Sequence, residues 1–304
     1  MMQPSLIIGG SSGGATSGAL VRKRVLTVNG GQPFLRITES LDLGSWPDTW
    51  LALVQADYGG PLALTKDIVQ ADLFFVGGGG GGALSPDPAV YGGFPGGTYS
   101  FQSTLADMKQ EFYLFVGAGG PGAHIPDPEE EWDDGAARPG SSSQFYNYSQ
   151  YTFNDPHAVG GYQGSASEPE MRSFWQEMLA FADLRTPDPT TSSFSGLYGN
   201  QNGPGQGGSI KASSSHLGGY AYAADPLRQV QSGFGEGENG QDGPDNRFGA
   251  CGSGGCTNRT GTGDGGNGGT PGGGGGACNN MVDGRGGDGG RGEIQIQFSL
   301  LEVA

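Results

Sequence analysis

Gly284-Arg285-Gly286-Gly287-Asp288-Gly289-Gly290-Arg291-Gly292 runs directly into Glu293-Ile294-Gln295-Ile296-Gln297-Phe298. Two periods meet here. Gly284, Gly287 and Gly290 share one phase of a three-residue repeat, and Gly286, Gly289 and Gly292 share another. From residue 293 the chain alternates polar and apolar, the pattern of a half-buried strand. A repeat of three is the period of the polyproline-II type of helix, which has no internal hydrogen bonds. If such helices are buried, their N–H and C=O groups must pair with neighbouring segments. Glycine permits this because backbones without side chains approach closely.

The same period extends upstream. Positions 237, 240, 243, 249, 252, 255 and 261 are Gly, with Asn246 and Asn258 filling the gaps in that phase. After a slip, 263, 266, 269, 272 and 275 are all Gly. Gly196, Gly199, Asn202, Gly205 and Gly208 form a further series. Asn is the natural substitute, being small and tolerant of unusual dihedrals. Collagen would need an uninterrupted Gly-X-Y run rich in Pro, and Pro271 is alone in 263–292. A flexible linker would carry Gly and Ser without phase. The period therefore favours a sandwich of glycine helices, mainly over 196–292. The expected fold is mainly β and irregular: an N-terminal β part, then a polyglycine-II-helix sandwich, with one inserted α-helix at about 168–184. Residues 1–70 form an arm and attachment region, and 71–304 the glycine-rich domain closed by strand 293–298.

Composition divides the chain in the same way. Of 304 residues, 63 are Gly. Leu, Ile, Val and Phe number 33 in residues 1–116 but 8 in 196–292, so only the first part can build a conventional core. In that part Val25–Val28, Asn29-Gly30-Gly31 and Phe34–Thr38 read as strand, turn and strand. Trp50–Val54, Leu73–Val76 and Glu111–Val116 read as further strands. Residues 293–298 should pair near Phe74–Val76. Residues 5–20, rich in Ser and Gly, read as an arm. Ser167 with Glu170 is a capping box, and Met171, Phe174, Trp175, Met178 and Ala182 make one face of a helix. Such a stripe is core first and a docking face second.

The formal net charge is −16, with Lys and Arg scarce. This excludes a nucleic-acid binder, which needs basic clusters; Arg22-Lys23-Arg24 is the one basic run. No apolar stretch is long enough to span a bilayer, so no membrane insertion is expected. Leu6-Ile7-Ile8 is too short for a signal-peptide core. Cys251, Cys256 and Cys278 are odd in number and lack zinc spacing. Free thiols fit best, with one disulfide or a metal as alternatives.

Few motifs suggest chemistry. Gly117-Ala118-Gly119-Gly120-Pro121-Gly122 after a strand matches the dinucleotide fingerprint, but Ile125-Pro126-Asp127-Pro128 follows where a helix must begin. Gly77–Gly82 lacks the Lys of a P-loop. Asp127, Glu129, Glu130, Glu131, Asp133 and Asp134 form a solvated acidic loop or, less simply, a calcium site without EF-hand spacing. His124, His157 and His216 are scattered. Phe145-Tyr146-Asn147-Tyr148, Tyr151 and Phe153 serve packing or offer stacking surfaces for sugar or protein. No catalytic, cofactor-binding or metal-ligating residue is assigned. Loop position makes 123–139 and 213–248 the candidate contact regions, with Ser213–Leu227 and Pro244–Phe248 as exposed loops.

Phe75-Val76-Gly77-Gly78-Gly79-Gly80, Val116-Gly117-Ala118-Gly119-Gly120 with Gly140-Ser141-Ser142-Ser143, and the closing run 284–296 together resemble the glycine-rich domain of phage tail proteins. The resemblance covers roughly 70–298. It implies a non-enzymatic virion protein, a tail-fibre, spike or tail-tip component akin to the polyglycine-helix sandwiches of T-even-like phage adhesins. Its partners would be other virion proteins, a host-surface receptor and further copies of itself; fibres are commonly trimers, though no heptads argue for one here. It would be made in the host cytoplasm without a signal peptide. Head fibre or capsid decoration is the alternative placement. The helix at 168–184 and the acidic insertion at 123–139 depart from the family pattern.

Overall fold

A computed structural model describes residues 20–24, 35–38, 40–45, 68–104, 111–126, 134–147, 157–181, 204–211, 214–215, 237–243, 249–258 and 263–303. Among these the chain is mostly sheet and irregular, with a single helix and no closed barrel. A five-stranded sheet has the order β1 (Leu20–Arg24), β12 (Glu293–Val303), β4 (Ile68–Val76), β6 (Thr98–Thr104), with β2 (Leu35–Ile37) also on β12. A four-stranded sheet runs β3 (Leu41–Ser45), β7 (Glu111–Phe115), β8 (Ser143–Asn147), β9 (His157–Ala158). A small third sheet joins β5 (Ala89–Val90), β10 (Ile210–Lys211) and β11 (Ser214–Ser215). The expected strands at 25–28 and 50–54, the arm up to residue 19 and the loop at 244–248 lie outside the described residues. The basic run Arg22–Arg24 is part of β1.

The closing strand pairs where its alternation predicts: Glu293 opposite Val76 and Ile294 opposite Phe75. Ile294 and Ile296 share one face with Leu73 and Phe75, all four buried. The other face differs from expectation. Glu293, Gln295 and Gln297 are also buried, so the strand is covered on both sides. Polar partners make this tolerable. Arg36, opposite Gln295, donates from Nε to Glu293 Oε1 at 2.6 Å and from Nη2 to Oε2 at 2.7 Å. Gln295 Nε2 donates to Glu293 Oε1 and to the Ala250 carbonyl, and its Oε1 accepts from Gly249 N–H. A buried carboxylate is thus neutralised by a two-bonded guanidinium.

Beyond the sheets the glycine segments join by backbone hydrogen bonds that step by three. Gly77, Gly80 and Ala83 donate to the carbonyls of Gly97, Phe94 and Tyr91. Gly78 and Gly81 donate to Ser141 and Arg138; Gly79 and Gly82 donate to Gly290 and Gly287. The carbonyls answer with the same step. Gly161 and Gly164 donate to Gly78 and Gly81, Gly120 and Ala123 to Gly79 and Gly82, Gly275 and Cys278 to Gly80 and Ala83. Segment 77–83 therefore has six neighbours, three running against it and three along it. Segment 272–278 is enclosed in the same way, by 77–83, 91–97, 204–208, 250–258, 264–269 and 285–291. A Cβ on Gly80 would sit 2.0 Å from the Tyr162 carbonyl oxygen. The network is thus not confined to 196–292. One of its enclosed rows is Gly77–Gly82, where uninterrupted glycine hides the period.

Outer rows keep two glycine faces and turn the third outward. Gly286, Gly287 and Gly290 are buried, whereas Arg285 and Asp288 are exposed. The outward N–H groups lack a neighbouring backbone, and side-chain oxygens take that place. Asp264 Oδ1 accepts from Arg285 N–H, Asn267 Oδ1 from Asp288 N–H, and Asp288 Oδ1 from Gly122 N–H, each at 2.8 Å. Asn239 and Asp242 serve Asn267 and Thr270 likewise.

The helix α1 spans Glu168–Phe181. Ser167 Oγ accepts from Glu170 N–H at 3.4 Å, the first half of a capping box. The second half is rerouted: Ser165 Oγ–H donates to the Glu170 carboxylate, and Ser165 Oγ accepts from Ser167 N–H. Met171 is buried with Tyr91 and Phe94, and Phe174 stacks on Tyr162 at 4.6 Å between ring centroids. The stripe is core, as its residue types predict. Met178 and Ala182 fall outside the described side chains.

Candidate binding surface

Connectivity gives the glycine assembly two unlike ends. β4, β7 and β9 lead into 77–83, 117–123 and 159–164, while 91–97, 138–142 and 284–292 run back into β6, β8 and β12. The two larger sheets lie at one end. The reversals at 84–90, which carries β5 of the small third sheet, at 165–168 and at 279–283, with 124–126 and 134–137, lie at the other. Loops held on a rigid frame are where binding chemistry concentrates.

A cleft of about 360 Å³ opens at that far end, lined by Leu84, His124, Ile125, Asp134, Ser165 and Met281 among others. Its wall is fixed from below. His124 N–H donates to the Gly135 carbonyl, and Asp134 caps Ala136 N–H and pairs with Arg138. Beside it stands the reversal Asn279–Asp283. Asn280 is 2% exposed and organises it. Its Nδ2 donates to Asp283 Oδ1 at 2.6 Å and to the Gly263 carbonyl at 3.4 Å. Its Oδ1 accepts from Val282 N–H, and its N–H donates to Cys278 Sγ. The turn so pinned holds Met281 47% and Val282 85% exposed, near Ile125 at 41%. An aliphatic apex ordered in advance loses little entropy on contact. Its chemistry is that of apolar contact.

Of the regions singled out by loop position, 123–126 and 134–139 come to this cleft. Within 213–248, Ser214–Ser215 form β11 and 237–243 an outer glycine row; the other residues lie outside the described set. Of the acidic loop, 127–133 also lies outside it, and Asp134 is committed to Arg138. Among the described residues no group of three His, Cys, Asp or Glu is placed to hold a metal. Sequence reasoning missed Met281 and Val282. The signal was available: they are the only large aliphatic residues between 250 and 292.

The fingerprint at 117–122 has its amides engaged inside the assembly. Gly117 N–H donates to Ser143 Oγ, Gly120 N–H to the Gly79 carbonyl and Gly122 N–H to Asp288. Among the described residues the helix nearest after it in sequence is α1, which begins at Glu168. Cys251, Cys256 and Cys278 are free thiols and buried. Burial, reinforced by the Glu293 charge, pushes the Cys251 thiol well above its usual range, and burial raises Cys278 too.

The model of the glycine-rich domain family matches residues 62–299. The chain belongs to that family. No curated protein matches the sequence.

Proposed function

We propose that this member of the glycine-rich domain family is a structural phage protein, a tail-fibre, spike or tail-tip component that contacts a host-surface receptor. In this reading the glycine assembly is a sandwich of polyglycine-II helices. The three-step hydrogen bonding around 77–83 and 272–278 supports it, because a helix of three residues per turn shows each neighbour every third residue. The sheet end, with residues 1–70, serves attachment to other virion proteins. The far end serves recognition.

The observation that carries the reading is the pinned apex of Met281 and Val282 beside the cleft, at the end remote from the two larger sheets. The protein acts by contact and carries no catalytic centre or cofactor, enters no membrane and binds no nucleic acid. It reaches the particle from the host cytoplasm. Immunogold electron microscopy on particles, with antibody to the recombinant chain, tests the placement. Label at the tail tip or fibres is expected. Label on the head would move the protein to a head-fibre or decoration role, and unlabelled particles would overturn the virion reading. Val282→Ser should lower adsorption to host cells several-fold without altering particle yield. A change in heat signal on titrating NAD or FAD would reopen the dinucleotide alternative at 117–122.

A further inference from the structure

Asparagine or aspartate followed by glycine recurs along the outer rows, and each such pair grips the next row in the same way. Asn267 Oδ1 accepts from Asp288 N–H at 2.8 Å, and Gly268 N–H donates to the Asp288 carbonyl at 2.7 Å. Asp264-Gly265 holds Arg285 through the same two bonds, both at 2.8 Å. Asn239-Gly240 holds Asn267 at 2.9 and 2.7 Å, and Asp242-Gly243 holds Thr270 at 2.6 and 2.7 Å. One residue of the neighbouring row thus gives its amide to the side chain and its carbonyl to the glycine amide.

Such sequences are prone to a reaction of their own. The glycine nitrogen, once deprotonated, attacks the side-chain Cγ of the residue before it, and glycine has no Cβ to hinder the approach. At Asn267 a bond would form between Gly268 N and Asn267 Cγ. The Cγ–Nδ2 bond would break, and the departing nitrogen would take up a proton and leave as ammonia. Water then opens the cyclic imide at either carbonyl, giving aspartate or isoaspartate. The only reagent is water, and water reaches these side chains, because Asn239, Asp242, Asp264 and Asn267 are all exposed. The clamp withholds the geometry. The proton to be lost sits on a carbonyl of the next row, while the side chain is drawn to a different atom of that row.

We propose that Asn239 and Asn267 are latent self-modification sites, silenced by this clamp and released when an outer row opens. Opening is graded by enclosure. Among the described residues, row 237–243 is bonded to two other rows, 250–258 and 263–270. Row 263–270 is bonded to four, 237–243, 250–258, 272–278 and 284–291. Asn239 therefore reacts first. The mark is permanent. Aspartate at either position can re-form the clamp, as Asp242 and Asp264 do. Isoaspartate cannot, because its main chain runs through Cγ and the added atom breaks the step of three that aligns the rows. The outer layer works as a fuse: a chain kept folded stays intact, and one left open is barred from folding again. This inference does not rest on the virion reading and survives or fails without it.

The test follows both asparagines by peptide mass spectrometry in the full-length chain, held in mildly alkaline buffer without urea, with urea below the unfolding midpoint, and with urea above it. Above the midpoint Asn239 and Asn267 should convert at like rates. Without urea both should be at least about 30-fold slower, which corresponds to about 2 kcal/mol of local opening. Below the midpoint Asn239 should convert ahead of Asn267. Native conversion at the unfolded rate, or Asn267 ahead of Asn239, would overturn the proposal. On dilution from urea, chains with isoaspartate at residue 267 should stay out of the folded, protease-resistant fraction, whereas an Asn267→Asp chain should enter it. Entry of the isoaspartate chains in full, or exclusion of the Asn267→Asp chain, would overturn the fuse.

Discussion

Segments 77–83 and 284–292 belong to the same hydrogen-bonded assembly and differ in how many sides they close. The first gives every side to another backbone, so each of its first six residues is glycine. The second gives two sides to backbones and one to water, so every third residue is Arg285, Asp288 or Arg291. Unbroken glycine thus marks full enclosure, and a Gly-Gly-x rhythm marks an outer row. Asp and Asn in such rows are acceptors for the next row's spare amides, as Asp264, Asn267 and Asp288 show.

The sharpest way to break this comparison is one methyl group in each segment. Gly80→Ala would drive Cβ into the Tyr162 carbonyl at 2.0 Å. Backbone there cannot give without opening bonds on every side. A loss of about 4 kcal/mol or more is expected, read as absence of folded chain from the soluble fraction. At the junction of sheet and glycine assembly, Arg36→Ala would leave buried Glu293 with the Gln295 amide and the Arg291 guanidinium, whose Nη1 is 3.6 Å away. About 3 kcal/mol should be lost in urea denaturation.

The thiols give a subtler probe. Cys251 is neutral in the folded chain to higher pH than in the unfolded one. Its contribution is fully present below about pH 9, the ordinary thiol value, and is lost as pH rises beyond it. Stability should fall by about 1 kcal/mol for each pH unit above that point, and Cys251→Ala should flatten the slope. Native protein should resist a water-soluble disulfide reagent that labels it rapidly in urea.

The smallest effects belong to the outer row. Asp288→Ala removes the acceptor of Gly122 N–H and should cost about 1 kcal/mol, since water can replace it. Arg285→Ala, exposed, should stay within about 0.5 kcal/mol. Equal costs for Gly80→Ala and Arg285→Ala would end the distinction between enclosed and outer rows.

Much of this was legible before any coordinates. The alternation of 293–298 named its partner, Phe74–Val76, because one apolar face must meet another. The stripe Met171, Phe174, Trp175 named a helix, and its residue types named a core. Gly77–Gly82 was not legible, because a run without variation has no phase to count. The buried polar face of β12 was hidden because it depends on Arg36, 257 residues away in sequence. The apex at Met281 and Val282 was overlooked for a related reason. Counting glycines directs attention to the repeat, and the informative residues are those that interrupt it.

The six-neighbour row also governs what mutation can do to this protein. A glycine codon altered at either of its leading bases inserts a side chain, and none fits where a Cβ already lies about 2 Å from a carbonyl oxygen. Heritable change in the body is therefore removed almost as it arises. The exposed positions of the reversals, such as Ile125, Met281 and Val282, carry no such restriction. Variation is channelled to the exposed reversals, which can change while the glycine scaffold stands still.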